Sequence, residues 1–167
     1  MDLRTLQKPF KDRYRQEPGS GRITLSARGS QQATPVSCSV DIGRAVYEAE
    51  AHEGVGGAGT GACSGDLLLG ALAACGQITC QMVAAALEIP VNGIEVAVEG
   101  DLDLSGTLGV DRDAPVGFEE IRTRFEIDAP EATDEQLASL KEKSERYCVV
   151  LQTLTAGPRL ETELVRA

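Results

Sequence analysis

"GDLLLGALAACGQITCQMVAAALEI", residues 65–89, is the stretch that decides the fold. Its 21 positions from Leu67 to Leu87 carry no charge, and as a helix they would extend about 30 Å, enough to cross a bilayer. Gln77, Thr79 and Gln81 lie in the middle, however, and no Lys or Arg flanks either end as an orientation signal. A helix apolar on nearly all sides then reads as the buried centre of a soluble fold. Pro90 and the Asn92-Gly93 pair end it.

Working outward, the helix is preceded by "EGVGGAGTGACSG" (53–65), in which six of thirteen residues are Gly. The glycines mark a loop. They do not make a phosphate cradle, because no Lys-Ser or Lys-Thr follows and no strand-turn-acid context surrounds them. Further upstream, Ile23, Leu25 and Ala27 alternate with polar residues, and so do Val36, Cys38, Val40 and Ile42, the period of half-buried strands. The β-rich pattern continues through 41–51 into the loop.

Downstream, Ile94, Val96, Val98, Leu102 and Leu104 hold one phase while Glu95, Glu99, Asp101 and Asp103 hold the other, predicting a long strand with an acidic outer face. Ile121, Phe125 and Ile127 predict a second, with Arg122 and Arg124 opposite. Antiparallel pairing would set those arginines across from the acids. Thr133 and Gln136 form a capping box, so a helix starts there, with Leu137, Leu140, Ser144, Tyr147 and Cys148 at helical spacing. On an ideal helix Cys148 falls within about 20° of Leu137 and faces the core. "VVLQTLTAGP" (149–158) predicts a short helix stopped by Gly157 and Pro158, and Leu160, Thr162 and Leu164 alternate as a closing strand. Strands, one long helix, two strands, two shorter helices and a strand, paired antiparallel, make an α+β fold. Its sheet leaves much of the long helix uncovered in one chain, which points to a dimer whose sheets enclose two helices.

Composition narrows the function. At 167 residues the chain fits one domain. A formal charge of −10, with no dense basic run, no Trp and only three Tyr and three Phe, argues against nucleic acid. Small uncharged or weakly polar substrates fit better. Five cysteines match neither a secreted disulfide framework nor paired zinc-ligand motifs, and the charged start "MDLRTLQKPFKDRYRQEP" has no secretory h-region. Reduced thiols in a cytoplasm are the expectation.

The chain has a single histidine, His52, and no GxSxG elbow, so triad chemistry is poorly provided for. A zinc site would need His52 with three cysteines from unrelated positions; no metal is expected. No motif for a flavin, haem or nicotinamide occurs. Thiol chemistry remains. Cys75 and Cys80 stand five apart on one helix, about 140° around its axis, and cannot bond to each other. Cys75 shares a face with Leu68, Ala71, Leu72, Thr79 and Met82, and Cys148 is the partner that geometry permits. The alternative is that all five cysteines are small buried hydrophobes.

"LLLGALAACGQIT" (67–79) and "SERYCVVLQTL" (144–154), with the glycine-rich lead into the helix, resemble the OsmC/Ohr family of peroxide-detoxifying thiol proteins. The resemblance covers about residues 22–167 as one OsmC-like domain, with residues 1–21 as an N-terminal extension. It implies an intertwined homodimer, with antiparallel sheets wrapped around long buried central helices and active sites at the interface. By position, it makes Cys75 the peroxidatic thiol and Cys148 the resolving one, with an organic hydroperoxide as substrate and an external dithiol as reductant. It further implies an activating arginine from the early strands, for which Arg22, Arg28 and Arg44 are candidates and Arg44 is preferred. Gly65 stands ten residues before Cys75, where the peroxidase branch has a glutamate that orients that arginine. Asp66, one residue later, either substitutes for it or serves as a first-turn acid of the helix. Val149 follows the second cysteine where many relatives have proline. The alternative on the same scaffold is a redox-responsive or small-ligand-binding protein with little turnover. A thioesterase-like fold would also place a long helix under an antiparallel sheet, but no acidic nucleophile or base is evident on the helix face.

Overall fold

A computed structural model of the protein describes residues 3–17, 20–31, 37–43 and 45–166. The chain falls into two compact units, residues 1–70 with 97–124 and residues 71–96 with 125–167.

The first unit opens with helix α1 (Leu3–Gln16), which strand and core patterning does not reveal. Local ion pairs support it: Asp12 accepts from Lys8 at 2.5 Å and from Arg15 at 2.9 Å. A three-stranded antiparallel sheet follows, with β1 (Arg28–Gln31), β2 (Ser37–Asp41) and β3 (Val46–Glu50) in that order. Cys38 stands opposite Ala49 in the β2–β3 ladder. Val36, expected in the same strand, lies outside the described residues.

The strand expected over 22–27 is irregular, and Ile23 and Leu25 are exposed. Alternation supplies a face but no ladder, and a strand exists only where a neighbour completes its hydrogen bonds. Pairing begins at Arg28, where β2 lies alongside.

The glycine-rich loop turns through a single 3-10 turn at Glu53–Val55 and reaches left-handed backbone at Gly56 (φ 99°) and Gly59 (φ 69°). Its amides are satisfied from within the chain: the Glu50 carboxylate accepts the N–H groups of Thr60 and Gly61. An isolated parallel bridge between Ala49 and Ala62 then leads into helix α2 (Ser64–Ala86).

β4 (Gly93–Asp101) and β5 (Glu120–Asp128) form a two-stranded sheet. Its antiparallel sense follows from Asn92 N–H to the Asp128 carbonyl (2.7 Å) and Glu119 N–H to the Asp101 carbonyl (2.9 Å). Both strands alternate exposed and half-buried residues over their nine positions, but β4 stops at Asp101, short of the Leu104 expected from the alternation, because Asp103 caps a helical turn there. Arg122 pairs across the sheet with Asp101 and, at 3.7 Å, with Glu99, the expected cross-strand complementarity, and along its own strand with Glu120 at 2.9 Å. A one-turn helix α3 (Leu104–Thr107) sits in the connection, started by Ser105 N–H donating to Asp103 (2.8 Å).

The second unit holds the core of buried residues Cys80, Val83, Ala84, Ile89 and Leu140, flanked by Leu87, Val91, Ile94, Phe125, Ile127 and Ala132. α2 buries Leu72, Gly76, Cys80, Val83 and Ala84, one face at a helical period. Gly76 lets the strands pack close to α2, since a Cβ there would stand 3.3 Å from a Val96 methyl and 3.7 Å from the Phe125 ring. The other side of α2 is open in the single chain: Ile78 is 56% exposed and Met82 is exposed too.

Helix α4 (Asp134–Tyr147) begins with the predicted capping box, Thr133 N–H to Gln136 Oε1 (2.9 Å) and Gln136 N–H to Thr133 Oγ1 (3.2 Å). A short helix α5 (Val149–Thr155) follows and stops before Gly157. The closing strand expected at 160–164 is absent: residues 159–166 are irregular, with Leu160 and Leu164 exposed. The reason is the same as at 22–27, an alternating face without a ladder neighbour.

Candidate thiol site

Cys148 does not lie on a helix face, as its spacing predicts. It is the joint between two helices, closing α4 and opening α5 with extended dihedrals (φ −73°, ψ 106°). Its N–H donates to the Ser144 carbonyl at 3.0 Å, and its carbonyl accepts from Gln152 N–H at 2.9 Å. The break reorients the backbone, so that the amides of Val149, Val150 and Leu151 point into the thiol site. The expectation that Cys148 turns inward holds, at 1% exposure.

Cys75, half-buried on α2, is the residue this joint meets. Burial pushes its thiol up. Against that act the N–H of Val150, the Cys148 thiol, the Thr79 hydroxyl and the N–H of Val149, and the net direction is below the usual thiol range. The Thr79 contact runs from Oγ1 to Cys75 Sγ at 3.9 Å. Cys148 goes the other way. Burial raises it, the Leu151 N–H opposes, and the neighbouring Cys75 raises it further both as a hydrogen-bond partner and through its charge. Of the pair, Cys75 is thus the thiol that loses its proton first. Both are free thiols, as are Cys38, Cys63 and Cys80.

Behind the pair, Cys80 is buried, which raises its thiol against an opposing hydrogen bond from Ser144. Ser144, fully buried, donates to the Leu140 carbonyl at 2.7 Å. Cys80 is a core residue.

The acid and loop residues belong to the first unit. Asp66 accepts the Cys63 N–H at 2.8 Å, reaching back to the residue before α2 as a first-turn acid does. That bond, a second from the Cys63 thiol and the nearby His52 hold its carboxyl below the usual range against burial. Among the described residues no arginine pairs with Asp66. Arg44 lies outside the described residues. His52 is a hydrogen-bonded loop residue whose Nδ1 accepts Gly54 N–H at 3.1 Å. With Cys63, Asp66, Leu69, Leu104 and Phe118 it lines a cleft of about 240 Å³. Gly65 lies in the same cleft, where a Cβ would stand 3.2 Å from the Phe118 ring and 3.5 Å from Cys63 Sγ. Among the described residues no group of three or more His, Cys, Asp or Glu side chains gathers in a form able to hold a metal ion.

A family model described as OsmC-like protein matches residues 57–163, from the glycine-rich loop past both cysteines. The chain belongs to the OsmC-like family. A search of curated proteins finds no match. Among solved structures, the chain is similar to an OsmC-like protein from Mycoplasma pneumoniae (TM-score 0.67, 18% identity, covering 81% of this chain and 89% of that one). It is also similar to an organic hydroperoxide resistance protein OsmC from Legionella pneumophila (TM-score 0.61, 16% identity, 80% and 90% covered). A third is an organic hydroperoxide resistance protein from Elizabethkingia anophelis (TM-score 0.58, 19% identity, 81% and 91% covered). At these identities the likeness is one of fold, and it agrees with the α+β, OsmC-like architecture expected from the sequence. α2 is long and apolar enough to cross a membrane by length and composition. The match to the OsmC-like family model runs through its whole length.

The contributions that spacing does not reveal are the amides of Val149, Val150 and Leu151. Main-chain donors leave no residue-type signature. The one sequence cue is the end of α4's periodicity at Cys148, directly before an apolar pair.

Proposed function

We propose that this OsmC-like protein is a thiol peroxidase that reduces organic hydroperoxides, with Cys75 as the peroxidatic cysteine and Cys148 as the resolving one. The observation that carries the reading is the meeting of two free thiols, Cys75 on α2 and Cys148 at the α4–α5 joint, with Cys75 drawn below the ordinary thiol range by the donors around it and Cys148 held above.

The Cys75 thiolate attacks the distal oxygen of the hydroperoxide. An S–O bond forms, the O–O bond breaks, and the alkoxide leaves to take a proton from solvent as the alcohol. Cys75 is then a neutral sulfenic acid. The charge that raised Cys148 has gone with that step, so Cys148 ionises more easily when its thiolate is needed. It attacks the Cys75 sulfur, an S–S bond forms, and the displaced hydroxide leaves as water with the proton Cys148 gave up. A dithiol reductant reopens the disulfide by exchange and is itself oxidised to a disulfide. No step requires a bound cofactor.

The proposal includes a homodimer in a reducing, cytoplasmic setting, with an OsmC-like domain from residue 22 preceded by the α1 extension. Exposed Ile78, Met82, Val149, Leu160 and Leu164 support the dimer, being more apolar surface than an isolated chain leaves open in this way. Arg44 is the preferred guanidinium for the departing alkoxide.

A second reading, a redox-responsive protein that forms the same disulfide but turns over slowly, is favoured by Gly65. Gly65 itself brings no carboxylate to the cleft, and the Asp66 carboxylate beside it is engaged with Cys63 N–H. Consumption of an alkyl hydroperoxide and of hydrogen peroxide under excess dithiol separates the two. Fast alkyl-selective turnover lost in Cys75→Ser supports the peroxidase. Negligible turnover by the folded native protein, with a Cys75–Cys148 disulfide still forming, selects the second reading.

A further inference from the structure

Thr79 lies one turn along α2 from Cys75, and side chains on a helix lean toward its N-terminus, so its hydroxyl comes back over the sulfur. The usual fate of a helical threonine hydroxyl is a bond to the carbonyl four residues earlier. Thr153 and Thr155 take that course in α5, donating to the carbonyls of Val149 (2.8 Å) and Leu151 (3.1 Å). At Thr79 the hydroxyl instead meets the side chain four residues earlier, with Oγ1 3.9 Å from Cys75 Sγ and both groups part-buried.

We propose that Thr79 is a positioning residue of the thiol site, whose hydroxyl donates to Cys75 Sγ once that sulfur is ionised and holds it in the rotamer that meets Cys148. The proposal rests on the thiol-site reading above. The physical basis is the difference between the two protonation states. A neutral thiol is a weak acceptor, whereas a thiolate is a charged one, and a hydrogen bond to the charged form favours it. Among the described residues, Thr79 supplies the side-chain hydroxyl of the donor set around Cys75, the others being the Val149 and Val150 amides and the Cys148 thiol. It is also the one donor of the set on Cys75's own helix, so it stays in register with the sulfur when Cys148 changes state.

The test is the pH dependence of Cys75 carbamidomethylation by iodoacetamide, followed on the Cys75 peptide by mass spectrometry. Native protein, Thr79→Val and Thr79→Ser are compared. Valine keeps the shape and removes the hydroxyl; serine keeps the hydroxyl and removes the methyl. The Cys75 midpoint is expected to rise by about 0.5–1 pH unit in Thr79→Val, a threefold to tenfold loss of thiolate well below the midpoint, and to return in Thr79→Ser. A Thr79→Val midpoint within about 0.2 pH unit of native overturns the proposal, as does an equal shift in Thr79→Ser, which would trace the effect to packing. The midpoint is read without peroxide, so failure of the peroxidase reading would appear in native turnover and not in this comparison.

Discussion

Gly56 and Gly57 are neighbours in the loop before α2, yet alanine at each is expected to act through a different cause and with a different magnitude. At Gly57 an added Cβ would stand 1.6 Å from the Ala51 carbonyl oxygen, 2.6 Å from its carbon and 3.2 Å from the His52 carbonyl carbon. All three are main-chain atoms, so no rotamer relieves the overlap. Restoring ordinary contact, about 3.4 Å, requires roughly 1.8 Å of backbone movement. That movement breaks the turn closed on the His52 carbonyl by Val55 N–H (2.9 Å) and Gly57 N–H (3.1 Å). Two such bonds are worth about 1 kcal/mol each, and forced overpacking adds about 1–3 kcal/mol. Gly57→Ala should therefore lose about 3–5 kcal/mol. At Gly56 nothing lies within 4 Å of an added Cβ, and only the positive φ of 99° is penalised. Gly56→Ala should lose about 1–2 kcal/mol. The chain has no Trp, so urea unfolding is followed by circular dichroism. With a slope of about 2 kcal/mol per molar, the Gly57→Ala midpoint falls by about 1.5–2.5 M and the Gly56→Ala midpoint by about 0.5–1 M. A Gly57→Ala loss no larger than that of Gly56→Ala would refute the reasoning, since it would mean that the loop relaxes without breaking its turn.

Two further outcomes follow from the two units. Leu140, 1% exposed in the core beside Cys80, should cost about 2.5–5 kcal/mol when truncated to alanine; a loss under about 1 kcal/mol in the same urea assay would mean that the site collapses without a cavity. Asp66 has a carboxyl lowered in the folded state by its Cys63 bonds, so its stabilisation is complete above the unfolded value near 3.8–3.9 and disappears as pH falls through the folded value. Asp66→Asn should thus be less stable than native at pH 7 by about 0.3–0.5 kcal/mol, the charge being exposed and screened by solvent, with the gap closing below about pH 4. A gap independent of pH would show that the carboxylate's charge plays no part in starting α2.

Much of the fold is legible where local chemistry and burial agree. The uncharged run at 67–87 forms α2, the Thr133–Gln136 box starts α4, and nine-residue alternation marks β4 and β5. α1 is less legible, since its charged surface carries i,i+4 pairing rather than a core stripe. Alternation misleads at 22–27 and 160–164, because a two-residue period describes a face and leaves the neighbour undefined.

What the sequence determined by itself about this protein is therefore the central helix, the caps, the strand faces and the two cysteines as residues of interest. These depend on side-chain type and spacing, which act within a few residues along the chain. Only the tertiary structure decided that Cys148 is a break between two helices, that the amides of Val149 and Val150 reach Cys75, and that Phe118 packs beside Gly65. The last two are meetings between segments distant in sequence, and the first two turn on main-chain geometry that every residue shares. The poise of the thiols follows from those meetings, because a thiol's ionisation depends on the donors and charges that the fold brings to it.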